Sequence, residues 1–508
     1  MENCRVGEMN TDVINVKDVN DVNTANTNAA DIASKSSKSS KRKDIKQSGF
    51  FYKLGNVSDK TISILACIAV GLVLFEPVFM FFYSFHSRSI DVYMMEAVMI
   101  INGWVFPLAS AVTFILYALV LLRIRNENKG LVYHLKKNPL FCVFSLVVIW
   151  MFISQIYNMA HGLDAGFTDT PDWIRNESFD MQYSYFMVLL FAGSQIRLRK
   201  HKQFMLRCQL IISMMVVGCG FKIWLSDFLS FIYDDEFEQG FMAFFTNLNY
   251  YGYYLSVCVP IAGAMFVHEK NKVWKVIALI SFAANTVALS LNTTRGAWLA
   301  CILSVLFIII ATIIIEKKLN VFSLLLIPVF ALALYIPGHI TGTFEDNFSS
   351  LSSDITKVVT NAEDAETAGT DRIKLWLAGL DVVWDNPVFG IGFEGVYVRE
   401  YVGAPYMTRP HNEFIQHAMF YGLPMAIMYI IGCFGIFLRA LRKKTSLDGA
   451  TFSSLAGAFG YLVSSFFGLT VHSTAMFLFV FMGMGYVREQ EELAEPKSTE
   501  ELVKTSET

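Results

Sequence analysis

Residues 276–315 read VIALISFAANTVALSLNTTRGAWLACILSVLFIIIATIII. Two apolar runs, 276–292 and 296–315, meet here with almost no connecting chain. A bilayer core of about 30 Å takes about 20 mostly apolar residues per helix. Each run therefore predicts one crossing, and the pair predicts a tight antiparallel hairpin with Asn292-Thr293-Thr294-Arg295-Gly296 at a membrane surface. Gly296 suits the turn, and Thr293 or Thr294 is placed to cap the helix that follows. The first turn of that helix presents free N–H groups and the positive end of its dipole. A guanidinium at that point makes an anion site, because its planar fork matches phosphate oxygens. The plain alternative is an Arg that anchors a helix end among lipid headgroups.

The rest of the chain extends the pattern. Its 508 residues are 54% hydrophobic and 17% charged, with a mean hydropathy of +0.44. That is too apolar for soluble domains and predicts an all-α polytopic membrane bundle. The same ruler places about twelve spans, at 62–84, 96–122, 139–160, 182–196, 208–225, 241–267, 276–292, 296–315, 320–337, 413–438, 450–468 and 474–487. The intervening loops alternate in charge. One set carries Arg123, Arg125, Lys136 and Lys137, then 197–202, 270–275, 316–318 and 439–444, and all of these are basic. The other carries 164–180, 227–238 and 338–411, which are mostly acidic. Lys and Arg favour the cytoplasmic side. Both termini are therefore expected in the cytoplasm, with Arg295 and His411 on the periplasmic or extracellular side of a plasma (inner) membrane. The polar stretch 1–60, with its basic run Lys35–Lys43, reads as a disordered cytoplasmic tail and topology signal, and 488–508 as a second tail. The division that follows is 61–275 for N-terminal spans, 276–438 for a core that includes the outer loop 338–412, and 439–487 for C-terminal spans. Eight cysteines show no CxxC pair and read as packing residues. Nothing in the charge pattern predicts nucleic-acid binding.

Polar chemistry collects in the outer loop. Asp371–Trp384 spaces Ile373, Trp376, Leu377, Leu380, Val383 and Trp384 as one face of a helix, which could lie in the membrane interface or pack as a lid. NPVFGIGFEG, 386–395, contains GxGxxG without the βαβ setting of a dinucleotide site, so it reads as a loop-shaping turn. The acidic stretch 354–366 reads as solvated surface. RPHNEFIQ, 409–416, opens the next span, and His411 at its mouth could serve as a general base or as a structural group. His417 and His472 are weaker candidates. Glu76 is an intramembrane carboxylate beside Pro77, open to either a functional or a kink reading.

TRGAW at 294–298, Arg372…Trp376 followed by NPVFGIGFEG, and RPHNEFIQ running on to Tyr421-Gly422-Leu423-Pro424 together resemble the O-antigen ligase and polymerase superfamily of bacterial membrane glycosyltransferases. The specific part covers 276–438, and Asn247-Leu248-Asn249-Tyr250-Tyr251 looks like the Asn-containing helix of that family. The resemblance implies transfer of a glycan from an undecaprenyl-diphosphate-linked donor to a lipid- or glycan-hydroxyl acceptor at the outer leaflet of the membrane lipid. It implies no metal and no cofactor. By the same resemblance, Arg295, Arg372 and Arg409 would hold the diphosphate and His411 would deprotonate or orient the acceptor, with Asn249, Asn412 and Glu413 in support. Phe420 and Pro424 depart from the family pattern, which carries an acidic residue and a Gly at those places. A transporter or flippase of lipid-linked oligosaccharides is the alternative, but it predicts internal repeats and midplane sites that this sequence does not show.

Overall fold

A computed structural model describes residues 49–79, 90–127, 132, 133, 136, 138–162, 183–234, 240–245, 247–360, 368–392, 409–444, 447–469 and 472–487. Expectations for the tails 1–48 and 488–508, the outer segment 164–180, the acidic residues 361–366, Phe393–Gly395 and the side chain of His472 concern residues outside this set. Among the described residues the protein is all helical. Short α1 (Phe50–Gly55) precedes α2 (Asp59–Leu74), α3 (Ile90–Asn126) and α4 (Pro139–Ala160). A π-helical turn, Tyr185–Leu190, runs into α5 (Phe191–Gln195) and then α6 (Arg199–Asp234). Four long helices follow: α7 (Leu248–His268), α8 (Lys272–Leu291), α9 (Arg295–Glu316) and α10 (Val321–Thr341). Next come α11 (Thr343–Val359) and α12 (Ala368–Asp385). The chain ends with α13 (Glu413–Tyr421), α14 (Leu423–Arg442), α15 (Gly449–Ser464) and α16 (His472–Met484).

Among the described residues, nine helices are long and apolar enough to cross a membrane. Of the run expected at 62–84, residues 62–74 lie in α2, 76–79 are again helical after a turn at Phe75, and 80–84 lie outside the described residues, while 182–196 and 474–487 correspond to the π-helical turn with α5 and to α16, both shorter than a full span. α2 stops at Leu74 just ahead of Glu76-Pro77, where the proline ring opposes continuation. Glu76 is buried there at 4% exposure.

The bundle is organised around α7, whose membrane-length window is 94% buried. It packs against α8, α9 and α15. α15 comes so close that a Cβ on Gly460 would stand 2.0 Å from the Ser256 carbonyl oxygen. Without a hydrophobic drive between helices in lipid, such small-residue contacts are what bring backbones together.

The ends that carry the basic loops are tied to one another. Asp59 accepts from Arg123 at 2.5 Å and from Arg197 at 2.7 Å. Arg207 pairs with Glu269 at 3.1 Å, and Lys202 donates to Thr451 Oγ1 at 3.0 Å. Arg439 donates to the Val487 carbonyl at 2.8 Å.

The largest departure from the sequence reading lies at 413–438. One span is expected there, but the chain breaks at Gly422, φ 83°, into α13 and α14. The glycine-rich turn fills the break. Ile391 N–H donates to the Met419 carbonyl at 2.7 Å, Gly392 N–H to the Phe420 carbonyl at 3.1 Å, and Leu423 N–H to the Pro387 carbonyl at 2.8 Å. α4 closes the other side: Trp150 Nε1 donates to the Tyr421 carbonyl at 3.0 Å, and Asn158 Nδ2 to the Phe389 carbonyl at 3.2 Å. The Phe389 ring stacks on Trp150 at 5.6 Å and on Tyr157 at 4.1 Å. Every carbonyl freed by the break named here has a donor, which is the condition for irregular backbone inside a membrane bundle.

Two glycines make that junction sterically unique. A Cβ at Gly390, φ 64°, would meet the Met419 carbonyl oxygen at 2.4 Å, and one at Gly422 would meet the Val388 oxygen at 2.0 Å. Gly390→Ala and Gly422→Ala are each expected to lower stability by about 2–4 kcal/mol, combining strained backbone with a clash that neither side can relieve. Thermal unfolding of the detergent-purified protein by fluorescence-detected size exclusion checks this, and a melting point equal to wild type would contradict it.

Candidate active site at the tips of α7, α9 and α12

The turn before α9 is fixed by one side chain. Asn292 Nδ2 donates to the Phe241 carbonyl at 3.1 Å and to the Leu248 carbonyl at 3.0 Å. Its Oδ1 accepts from Thr294 N–H at 3.1 Å. Trp298 Nε1 folds back on the same turn, donating to the Leu289 carbonyl at 2.8 Å and the Asn292 carbonyl at 3.1 Å. The expected threonine cap is corrected here. Thr294 occupies the N-cap position but makes no side-chain cap bond, and its buried hydroxyl has no hydrogen-bond partner. Asn292 holds the turn from outside instead. Gly296 is also reassigned: it sits within the first turn of α9, and its missing Cβ makes room for Phe467, which would otherwise lie 2.8 Å away.

This frame delivers Arg295 to Asp354 of α11, with which it forms a short ion pair. Both side chains are 21% exposed. Asp354 therefore belongs to the site rather than to a solvated acidic surface, a correction that the amphipathic register of α11 explains, since it turns Asn347 and Asp354 inward together.

Arg372 enters from α12. Its Nη1 donates to the Gly369 carbonyl at 3.0 Å, while its buried Nε has no hydrogen-bond partner. Burial holds the guanidinium below its usual pKa, with Arg295 acting in the same direction and Tyr253 and Asp354 opposing. Arg372, Arg295, Asp354 and Tyr253 thus share one electrostatic neighbourhood. Tyr253 on α7 also lies in the field of Glu413 and donates to the Phe467 carbonyl at 3.2 Å. The Trp376 indole, one turn beyond Arg372, has a buried N–H with no hydrogen-bond partner.

α12 itself differs from the expected single apolar face. Leu375, Ala378, Val382 and Val383 are buried, whereas Leu377, Leu380 and Trp384 are exposed. Gly379 lets α12 close on α13, with Ile415 Cγ2 2.9 Å and Pro410 Cβ 3.2 Å from where a Cβ would stand. The helix is therefore packed as a lid on one side and apolar to its surroundings on the other.

The RPHNEFIQ segment is split in orientation. Arg409 is buried and stacks over the Phe420 ring at 4.9 Å, a contact that fixes it to the end of α13. His411 is half-buried with φ 50°, in the left-handed region that a non-glycine residue adopts only under constraint. Asn412 is the N-cap of α13: its Oδ1 accepts from Phe414 N–H at 3.0 Å and Ile415 N–H at 3.1 Å. Glu413 is fully buried and accepts from the Tyr429 hydroxyl at 2.9 Å, with His417 Nε2 at 3.5 Å. Asn249 lies in the first turn of α7, where its N–H donates to Asn247 Oδ1 at 2.8 Å, and the neighbouring Leu248 carbonyl anchors Asn292. Among the expected residues, Arg295 and Arg372 come together. Arg409 and His411 are held by α13, and Asn412 and Glu413 serve its cap and its buried face.

Asp354, Tyr253 and Asn292 were missed by sequence reasoning. Asn292 had a signal in the NTTR turn, but Asp354 and Tyr253 had none without the packing of α11 and α7. Among the described residues, no group of three or more His, Cys, Asp or Glu side chains is placed to hold a metal ion.

These features define a multi-spanning helical membrane protein with a charged site gathered at the tips of its helices. Residues 276–430, which include α8 to α13, match the family model described as O-antigen ligase. That match covers less than a third of the chain and supports a likeness to the O-antigen ligase and polymerase superfamily over that stretch. No curated protein matches the chain. The matched stretch includes Arg295, Asp354, Arg372, Arg409 and His411, while Tyr253 and Asn249 lie ahead of it.

Because Asn292 makes three bonds that nothing else replaces, Asn292→Ala should cost about 2–4 kcal/mol in stability. Asn292→Asp keeps the acceptor but sets an oxygen against the Phe241 and Leu248 carbonyls in a fully buried place, and should lose at least as much. Melting points of the two variants check the order, and an Asn292→Ala protein as stable as wild type would contradict it.

Proposed function

We propose that this protein is a membrane glycosyltransferase of O-antigen ligase type. It transfers a glycan from an undecaprenyl-diphosphate carrier to an acceptor hydroxyl at the outer face of a bacterial plasma membrane, as a ligase or polymerase of cell-surface polysaccharide. The observation that carries this reading is the Arg295–Asp354 ion pair within the matched domain, with the buried Arg372 guanidinium in the same electrostatic neighbourhood. Two guanidiniums and one nearby carboxylate leave an excess positive charge in a partly desolvated place, which suits a diphosphate.

In this scheme the acceptor oxygen attacks the anomeric carbon of the donor glycan. The bond from that carbon to the diphosphate oxygen breaks, and its electron pair leaves with the lipid diphosphate. Arg295 and Arg372 stabilise the negative charge that develops there, which is where fixed cations contribute most. His411, presented in a constrained backbone just ahead of the α13 cap, takes the acceptor proton. Arg409, stacked on Phe420, adds positive potential from the α13 side. Asn412 and Glu413 act by fixing α13, and Asn249 by flanking the anchor of the Asn292 turn. Both termini lie in the cytoplasm, and the reaction uses no cofactor.

In a deletion strain, complementation with Arg295→Ala, Arg372→Ala or His411→Ala should reduce glycan display by at least about 100-fold while the protein still inserts. The lipid-carrier pool, extracted in parallel, identifies the acceptor. Long polymer on undecaprenyl diphosphate indicates a ligase, single repeat units a polymerase, and units trapped in the cytoplasmic leaflet a flippase. Normal display in all three variants would sink the glycosyltransferase reading.

A further inference from the structure

α11 is the element that neither the sequence reading nor the proposed chemistry absorbs. Its seventeen residues, Thr343–Val359, divide into three sectors. Phe344, Phe348, Leu351, Ile355, Val358 and Val359 recur at helical spacing and form an apolar stripe. Phe344 packs against Trp298 and Tyr335, but beyond it the stripe is not covered by the described residues: Phe348 is 62% exposed, Ile355 54% and Val359 77%. On one flank, Ser349, Ser352, Ser353, Thr356 and Thr360 present hydroxyls along an open groove. On the other flank, buried Asn347 and half-buried Asp354 face the bundle, and Asp354 meets Arg295.

The stripe continues an existing apolar surface. α10, a membrane-length helix, exposes Ile336 at 50% and Ile340 at 78% on its last turn, and Gly342, φ 78°, turns the chain directly into α11. Thr343 Oγ1 donates to the Ser290 carbonyl at 2.9 Å, which pins the start of α11 to the outer end of α8. A helix with one lipophilic sector, one hydroxyl sector and one sector against protein matches the three surroundings found where a bundle meets a bilayer surface.

We propose that α11 docks on the lipid surface of the outer leaflet through its apolar stripe, and that from there it supplies Asp354 as an exchangeable counter-ion for Arg295, which the diphosphate of the donor displaces. The proposal rests on the reading of the Arg295–Arg372 seat as a diphosphate site. Asp354 neutralises one of two adjacent guanidiniums while the seat is empty of donor, so that two cations need not stand together in a desolvated place. A diphosphate carries more negative charge than a carboxylate and engages both arginines, so it wins the exchange. Because the carboxylate rides on a helix seated in lipid, release of Asp354 is coupled to the leaflet through which a lipid-linked donor arrives. Asp354 is in this sense a positioning residue that tunes donor affinity.

The test uses full-length protein in nanodiscs of bacterial phospholipid, with farnesyl diphosphate as the probe. Asp354→Asn removes the competing charge and should bind farnesyl diphosphate about fivefold more tightly than wild type. Asp354→Glu should track wild type, and the gain should vanish in the Arg295→Ala, Asp354→Asn double variant. Equal or weaker binding by Asp354→Asn, while wild type binds, overturns the counter-ion role. Failure of both proteins to bind overturns it differently, by removing the diphosphate reading of the seat. Docking is read separately: Phe348→Trp in lipids brominated on their tails should lose extra fluorescence relative to wild type, and no extra quenching overturns the lipid contact.

Discussion

Backbone amides in a bilayer must find their partners inside the protein, and the junction of α13 and α14 is where this chain meets that constraint most severely. A span interrupted at Gly422 would strand carbonyls at the end of α13 and amides at the start of α14. The turn at 386–392 takes up three of these groups through its own backbone, and Trp150 of α4 takes another. Much of the site hangs from that repair. α12, with Arg372, leads into the turn, and α13, with His411 at its mouth, is held at its far end by the same bonds. The two polar groups that come from either side of the long connection thus share one anchor.

Electrostatics sets the second constraint. Arg372 is buried enough that desolvation lowers its pKa, and Arg295 beside it pushes in the same direction. Two like charges so placed are tolerable because Asp354 and the Tyr253 dipole offset them. The arrangement is a compromise rather than a closed salt bridge. Asp354 pairs with Arg295 and reaches Arg372 only through its field, the Arg372 Nε and the Trp376 N–H have no hydrogen-bond partner, and the Thr294 hydroxyl is likewise unsatisfied. Polar groups are seldom left so in a settled interior.

The helical class, the hairpin at 292–296 and the likeness to O-antigen ligases were legible because they depend on local composition and short motifs. Apolar run length sets a span, and TRGAW or RPHNEFIQ is read without knowing what packs nearby. The break at Gly422 was passed over because 413–438 was counted as one run despite Gly422-Leu423-Pro424, and the segment that fills the break lies some 30 residues earlier, in NPVFGIG. Glycines at positive φ in that turn signal irregular backbone but not which helix end receives it. Asp354 was hidden for a related reason. In an acidic stretch each carboxylate looks solvated until the apolar periodicity of 344, 348, 351, 355 and 358 shows the segment to be a helix, and the inward direction of Asp354 follows only from that. The assignment of Thr294 as a cap failed because Asn292, two residues earlier, offers a better placed acceptor and two donors besides.

The polar inner face of α13 shows how a buried cluster can fix a site without joining its chemistry. Glu413 and His417 stand one helical turn apart at 0% and 1% exposure, and Gln416 between them is equally buried. Turning such a face toward lipid would cost far more than leaving some of its atoms unsatisfied inside the bundle. The Tyr429 hydroxyl, from the helix just across the break, gives Glu413 a directional partner. Rotation of α13 about its axis is therefore opposed at the inner face by this bond and at the outer end by the Asn412 cap. Since α13 is only nine residues long, a small rotation would shift its mouth, where Pro410 and Ile415 pack on α12 at Gly379. The buried Glu413 side chain thus contributes to the site by removing a degree of freedom, through a directional bond that a leucine there could not make.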